Sequence, residues 1–283
     1  MEDLHVALWD KLGGGGNIED RRGMGALGIG GSLVAGIVVL ALGYFGISAD
    51  PELVEQLLVT AGVTGQSEST QTSEFKGQDS YETFASNVIG SSDRYWSKTL
   101  SGNSDYQTPR LVLFRNATQS GCGIATSEVG PHYCPLDKTI YLDETFFDVL
   151  AERLGGSNGD VAQAYVMAHE VGHHVQNVTG IMERVQNDPA YEQTGSNSLS
   201  VRLELQADCY AGLWANSIKD AGVFESDNEI QEAIVAAGAV GDDRIQSTTG
   251  SVNPETWTHG SSAQRIESFN RGWKSGQLSQ CSL

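Results

Sequence analysis

Apolar and polar positions divide the chain into stretches of different character. Residues 1–23 are mostly polar, carry a glycine run at 13–16, and read as a flexible tail. Residues 24–47 hold no charged side chain and are apolar all round a helical projection, not along one stripe. As a helix this run spans roughly 36 Å against about 30 Å of bilayer hydrocarbon, so it predicts a transmembrane anchor. A cleaved signal peptide fits less well, because the apolar run is too long and Ile47-Ser48-Ala49 is a poor cleavage site. Residues 48–78 form a linker: a short amphipathic stretch at 51–63, then a Ser/Thr/Gln-rich segment at 64–78.

From residue 79 the pattern becomes that of a folded domain, predicted over 79–283. Helical spacing of Phe84, Val88 and Trp96 predicts a helix over 81–100, with Gly90-Ser91-Ser92 as a point of breakage. Segments 110–115 and 139–143 suit strands and flank a Gly-rich loop at 120–135 bounded by cysteines. Helices follow over 146–154, 160–178, 199–221, 228–246 and 262–274, with Asp160 expected as an N-cap and Gly180 and Gly222 as stops. A small sheet followed by helices gives an α+β class: one N-terminal transmembrane helix, then a mainly helical domain.

The 36 acidic against 17 basic side chains give a net charge of −19, which repels phosphate backbones and excludes nucleic acid as a partner. Lys11, Arg21 and Arg22 precede the apolar run, and Asp50, Glu52 and Glu55 follow it. The positive-inside rule then predicts a single-pass protein, its N-terminus cytoplasmic and its domain periplasmic or extracellular. All four cysteines fall on the outer side, an even number where disulfides persist. The short loop favours Cys122–Cys134, leaving Cys209 to tie the tail at Cys281. A four-cysteine metal site lacks the close C-x-x-C spacing it needs.

The chemistry concentrates at His169-Glu170-Val171-Gly172-His173. Two imidazoles at i and i+4 share one helix face and can reach one zinc ion about 2.0–2.1 Å from each nitrogen. Glu170, one residue past the first, projects beside the metal, where it can touch water. Buried flanks (Val166, Met167, Val171, Val175) make unpaired imidazoles and a carboxylate costly without a metal. His174 points about 100° away from His173 on the helix and reads as structural. A third ligand is offered downstream, where Glu204 and Asp208 again stand at i and i+4 with small Ala207 between them. Glu204 as ligand with Asp208 behind a histidine is one assignment, and Asp208 as ligand is the other.

Taken together, EDRRG at 19–23, LVLF, CG…VGPHYCP with IYLD and FF, HEVGHHVQN, ELQADCYAG, GDDRIQ and THGSSAQRIESFNRGW resemble a known family. It is that of the neutral zinc metallopeptidases of bacterial membranes, related through the motif to gluzincin peptidases such as thermolysin. The likeness runs from about residue 105 to 273. It implies a zincin-like fold and a zinc-dependent peptidase, with His169, His173 and Glu204 as ligands and Glu170 as general base. It implies a peptide or protein substrate and does not identify one. His259, ahead of Gly260, is the candidate oxyanion donor, with Arg265 as an orienting charge or partner of Asp208. The 139–143 strand is a candidate edge for an extended peptide, with Tyr141 as a contact; His132 reads as structural. A non-catalytic zinc scaffold and a cell-wall zinc amidase are the rival readings. An intact Glu170 favours an enzyme, and the resemblance favours peptide bonds.

Overall fold

The computed structural model describes residues 7–22, 73–74, 79–102, 106–224, 229–248 and 250–283. Its strands are β1 (Asn17–Asp20), β2 (Ser73–Glu74), β3 (Arg110–Leu113), β4 (Ala117–Ser120), β5 (Gly123–Thr126), β6 (His132–Cys134) and β7 (Thr139–Leu142). Five of them form one sheet in the order β2-β1-β3-β7-β6; β4 and β5 make a separate hairpin. Strands β1, β3 and β7 run parallel, and β2 and β6 are antiparallel edges. Leu111, Leu113, Ile140 and Leu142 pack into the main core, whereas Val112, Tyr141 and Cys134 form a second small core with Ala125 of the hairpin. Burial on both faces accounts for successive apolar positions in β3 and β7, whereas β1 (NIED) buries only Ile18.

The helices are α1 (Ser80–Thr99), α2 (Phe146–Leu154), α3 (Asp160–Val178), α4 (Ile181–Gln186), α5 (Leu199–Ile218), α6 (Ile230–Ala239), α7 (Asp242–Ser247) and α8 (Ser262–Ser275). The expected disulfides form, Cys122–Cys134 and Cys209–Cys281. Helices α5 and α8 cross at bare backbone: a Cβ on Gly272 would fall on the Cys209 carbonyl, and one on Gly212 on the Phe269 carbonyl. Backbone cannot step aside as a side chain can, so Gly272→Ala is expected to cost about 3 kcal/mol or more. Urea denaturation of the variant checks this; an unchanged midpoint would show that the crossing tolerates separation.

The N-terminal segment departs most from expectation. Residues 7–22 are not a loose tail. Trp9 is 6% exposed and stacks on Trp214, and β1 pairs along its whole length with β3. The glycines at 14 and 16 lie against α1 at Gly90, where any Cβ would collide with their backbone. Gly90 therefore marks a close approach and leaves α1 unbroken. Asp160 does not cap α3. Gly159 holds the cap position, and the Asp160 carboxylate accepts from the Ala7 N–H (2.9 Å) and the Trp9 indole (2.7 Å).

This packing corrects the single-pass topology. Since β1 and β3 are neighbours in one sheet, residues 17–20 and the domain lie on the same side of any bilayer. A single crossing between them would separate hydrogen-bonded strands, so an N-terminus inside with the domain outside is ruled out. Arg21 and Arg22, counted as cytoplasmic flank, are ion-paired in the sheet. Arg21 meets Glu19 at 2.7 Å, and Arg22 meets Asp20 at 3.0 Å and Glu144 at 2.8 Å. No helix among the described residues is long and apolar enough to cross a membrane, and the 24–47 run lies outside the described residues. The α+β domain stands; the transmembrane helix and membrane localisation are not carried with it.

The helix expected over 228–246 is two, α6 and α7, broken at Val240-Gly241. A Cβ at Gly241 would strike the Ser262 backbone, and the Asp242 N–H donates to the Gly260 carbonyl at 2.8 Å. Helix α8 opens on a capping box between Ser261 and Gln264.

Candidate metal centre

Helices α3 and α5 can lie close because neither puts bulk between them. A Cβ on Gly172 would come within 3.0–3.1 Å of Ala207 atoms. That approach brings His169 and His173 of α3 over Glu204 of α5. His169 Nε2 lies 3.3 Å from Glu204 Oε2, and His173 Nε2 lies 3.4 Å from Oε1. One donor atom from each of the three lies within 4.8 Å of the others. Two atoms bound about 2.05 Å from a tetrahedral ion stand about 3.35 Å apart, so this donor set fits zinc in spacing and in chemistry.

Both histidines present Nε2 because their other nitrogen is engaged. His169 Nδ1 is 2.8 Å from Asp208 Oδ1, whose carboxylate also accepts from Tyr165 OH (2.6 Å) and from Arg265 Nε and Nη2 (2.9 Å each). Asp208 is 0% exposed. Burial alone would push its pKa up, but Arg265 and His169 outweigh that and hold it below the usual carboxylate range. Burial also opposes a charge on His169, yet Asp208 and Glu204 lift its pKa to about 10. The same carboxylate pull that favours a proton there favours a cation.

The second histidine has a partner that the motif does not show. His173 Nδ1 lies 2.9 Å from Gln176 Oε1, three residues on along the same helix face. Spacing alone could have flagged Gln176, but not its orientation, which α5 decides.

Glu170 is 6% exposed and lines the same cleft, about 920 Å³ in volume, as the three donors. His259 also lines it, with its side chain half exposed. Its Nδ1 meets Asp242 Oδ1 at 3.2 Å, and that bond raises its pKa against the effect of burial. The other Asp242 oxygen accepts the backbone N–H groups of Thr258, His259 and Gly260 at 2.7–2.9 Å. Asp242 thus pins the loop and the ring together, a role not legible in the GDDRIQ block. Arg265 stands behind the site as the partner of Asp208, one of the two roles expected of it.

His174 points away from the three donors, as its helical angle predicts. The Gln107 carbonyl can only accept, so His174 Nε2 donates to it (2.7 Å) and Nδ1 accepts from Tyr133 OH (3.1 Å). Burial lowers its pKa to about 4. The unfolded chain therefore takes up this proton first as pH falls. The contribution is fully present above about 6.5 and is lost between there and about 4, by at most about 3 kcal/mol. Unfolding measured from pH 7 to 4 is expected to show a shallower pH slope in His174→Phe than in wild type; equal slopes would refute this.

Tyr141 requires correction as a substrate contact. Strand β7 lies between β3 and β6 and has no free edge, and Tyr141 is 1% exposed, its hydroxyl donating to Asp137 at 2.7 Å. Among the described residues the edge strand on this side is β6, whose His132 and Tyr133 line the cleft. His132 stacks on Tyr141 with centroids 5.5 Å apart and stands outside the three-donor group.

A partly buried two-helix site with paired imidazoles and a carboxylate suits a metal ion, and comparison with known proteins narrows the class. The family described as "Putative neutral zinc metallopeptidase" matches residues 7–283, and the chain belongs to that family. Uncharacterized protein YpfJ of Escherichia coli (strain K12) is 41% identical over 279 residues, covering 94% of each chain. Uncharacterized protein Rv2575 of Mycobacterium tuberculosis (strain ATCC 25618 / H37Rv) is 48% identical over 199 residues, 67% of this chain and 66% of that protein. No solved structure matches.

Proposed function

We propose that the chain is a zinc-dependent peptidase in which His169, His173 and Glu204 hold the metal and Glu170 serves as general base. The observation that carries this reading is the set of 3.3 and 3.4 Å spacings between Glu204 and the two imidazoles, beside a cleft-lining carboxylate. When bound, zinc supplies Lewis acidity to a water molecule and to a substrate carbonyl. Glu170 takes the water proton as the new C–O bond forms, and then returns it to the nitrogen as the peptide C–N bond breaks. His259, held by Asp242, is suited to donate from the cleft wall to the developing oxyanion. Asp208, set by Arg265 and Tyr165, orients His169. The β6 edge is the surface on which an extended peptide can lie, and it takes the role assigned from sequence to 139–143.

The test pairs metal content with turnover. Purified full chain is expected to hold one zinc per molecule and to cleave members of a mixed peptide library, and His173→Ala is expected to lose both. Stoichiometric zinc without cleavage of any peptide would remove the peptidase reading and favour a structural metal.

A further inference from the structure

The bond that orients His173 continues past Gln176 to the far end of the chain. Gln176 Nε2 donates to the Leu203 carbonyl at 2.7 Å and to Gln206 Oε1 at 3.1 Å. Gln206 Nε2 donates in turn to the Cys281 carbonyl at 2.8 Å. Cys281 is itself bonded through sulfur to Cys209, one turn along α5 from Gln206. Gln176 and Cys281 are 0% and 2% exposed and Gln206 5%, so water is not at hand to replace these bonds.

The direction of every link is dictated by the two ends. A backbone carbonyl can only accept, so Leu203 and Cys281 force both amides to turn their nitrogens toward them. Gln206 then presents oxygen to Gln176, and Gln176 presents oxygen to His173. His173 Nδ1 must carry the proton, which leaves the Nε2 lone pair facing Glu204. A flipped Gln176 would set its oxygen against the Leu203 carbonyl and its nitrogen against His173 Nδ1, and the histidine would lose the state a metal requires. A flipped Gln206 would set its nitrogen against that of Gln176 and press it toward that turn.

We infer that Gln176 and Gln206 are positioning residues through which the disulfide-tied C-terminus sets the tautomer and zinc affinity of His173. The inference rests on the zinc reading above. It makes the Cys209–Cys281 bond more than a fold staple: breaking it frees the carbonyl that polarises the relay.

Zinc affinity of the full-length chain is to be measured by competition with a chromogenic chelator, alongside the visible d–d band of the cobalt(II) form. Gln176→Met is expected to weaken zinc binding about 10–100-fold. Gln206→Met and the pair Cys209→Ser/Cys281→Ser are expected to weaken it about threefold or more, with the cobalt band displaced in all three. Serine variants avoid thiol reductants, which bind zinc themselves. A purely structural role would lower the melting temperature and leave the cobalt band in place. If Gln206→Met and the Cys209/Cys281 pair both bind zinc within twofold of wild type with an unmoved band, the relay is refuted. That result with zinc lost in His173→Ala leaves the metal site standing, whereas zinc retained in His173→Ala sinks the site and the relay together.

Discussion

Glu170→Gln is expected to hold zinc at wild-type stoichiometry, to melt within a few degrees of wild type, and to lose about 10²–10⁴-fold in kcat/KM. The amide keeps the size and a hydrogen-bonding oxygen of the carboxylate but cannot take a proton. Glu170 is also not one of the three donors grouped around the candidate ion. Its side chain lines the cleft at 6% exposure, so the substitution changes the chemistry at the reacting face without opening a cavity. Metal analysis and peptide cleavage on one preparation make the comparison. Retention of more than a tenth of wild-type turnover would assign the base elsewhere, and loss of zinc would make Glu170 a ligand.

The second large effect falls on stability. Arg265 is 3% exposed and gives two charge-assisted bonds of 2.9 Å to Asp208, which has no exposure at all. Arg265→Met removes the cation and leaves a buried carboxylate facing only His169 and Tyr165. Breaking one side of such a pair costs about 3–5 kcal/mol, since desolvation of the remaining charge is no longer offset. Urea denaturation of Arg265→Met, Asp208→Asn and the double variant measures it. The double variant is expected to lose less than the sum of the singles, because the orphaned charge is gone. A loss below about 1 kcal/mol in Arg265→Met would mean that water or another group reaches Asp208.

Local periodicity made much of the centre legible. His169 and His173 share a face because α3 is helical, and Glu204 and Asp208 do so because α5 is. Gly172 and Ala207 announce close packing, since only small residues permit it. The disulfide pairs followed from loop length and from the cysteines left over. What failed did so for a common reason. Positive charges beside an apolar run are read as flanks only on the assumption that they face water, and Arg21 and Arg22 are instead paired with Glu19, Asp20 and Glu144. Glycines at 13–16 suggest flexibility by composition, yet two of them are where the backbone meets α1. A strand segment such as 139–143 does not reveal whether it is an edge, because that depends on where 132–134 returns.

By itself, then, the sequence determined helices α1, α2, α3, α5 and α8, strands β3 and β7, and the i, i+4 pairs of candidate donors on α3 and α5, all set by contacts within a few residues. Only the tertiary structure decided that 7–22 pack into the domain with 17–20 as a sheet strand, that β6 and not β7 is the edge on that side among the described residues, that Asp242 holds His259, and that Gln176 answers through Gln206 to Cys281. Each joins residues far apart in the chain, where no periodicity reaches and only packing selects the partner.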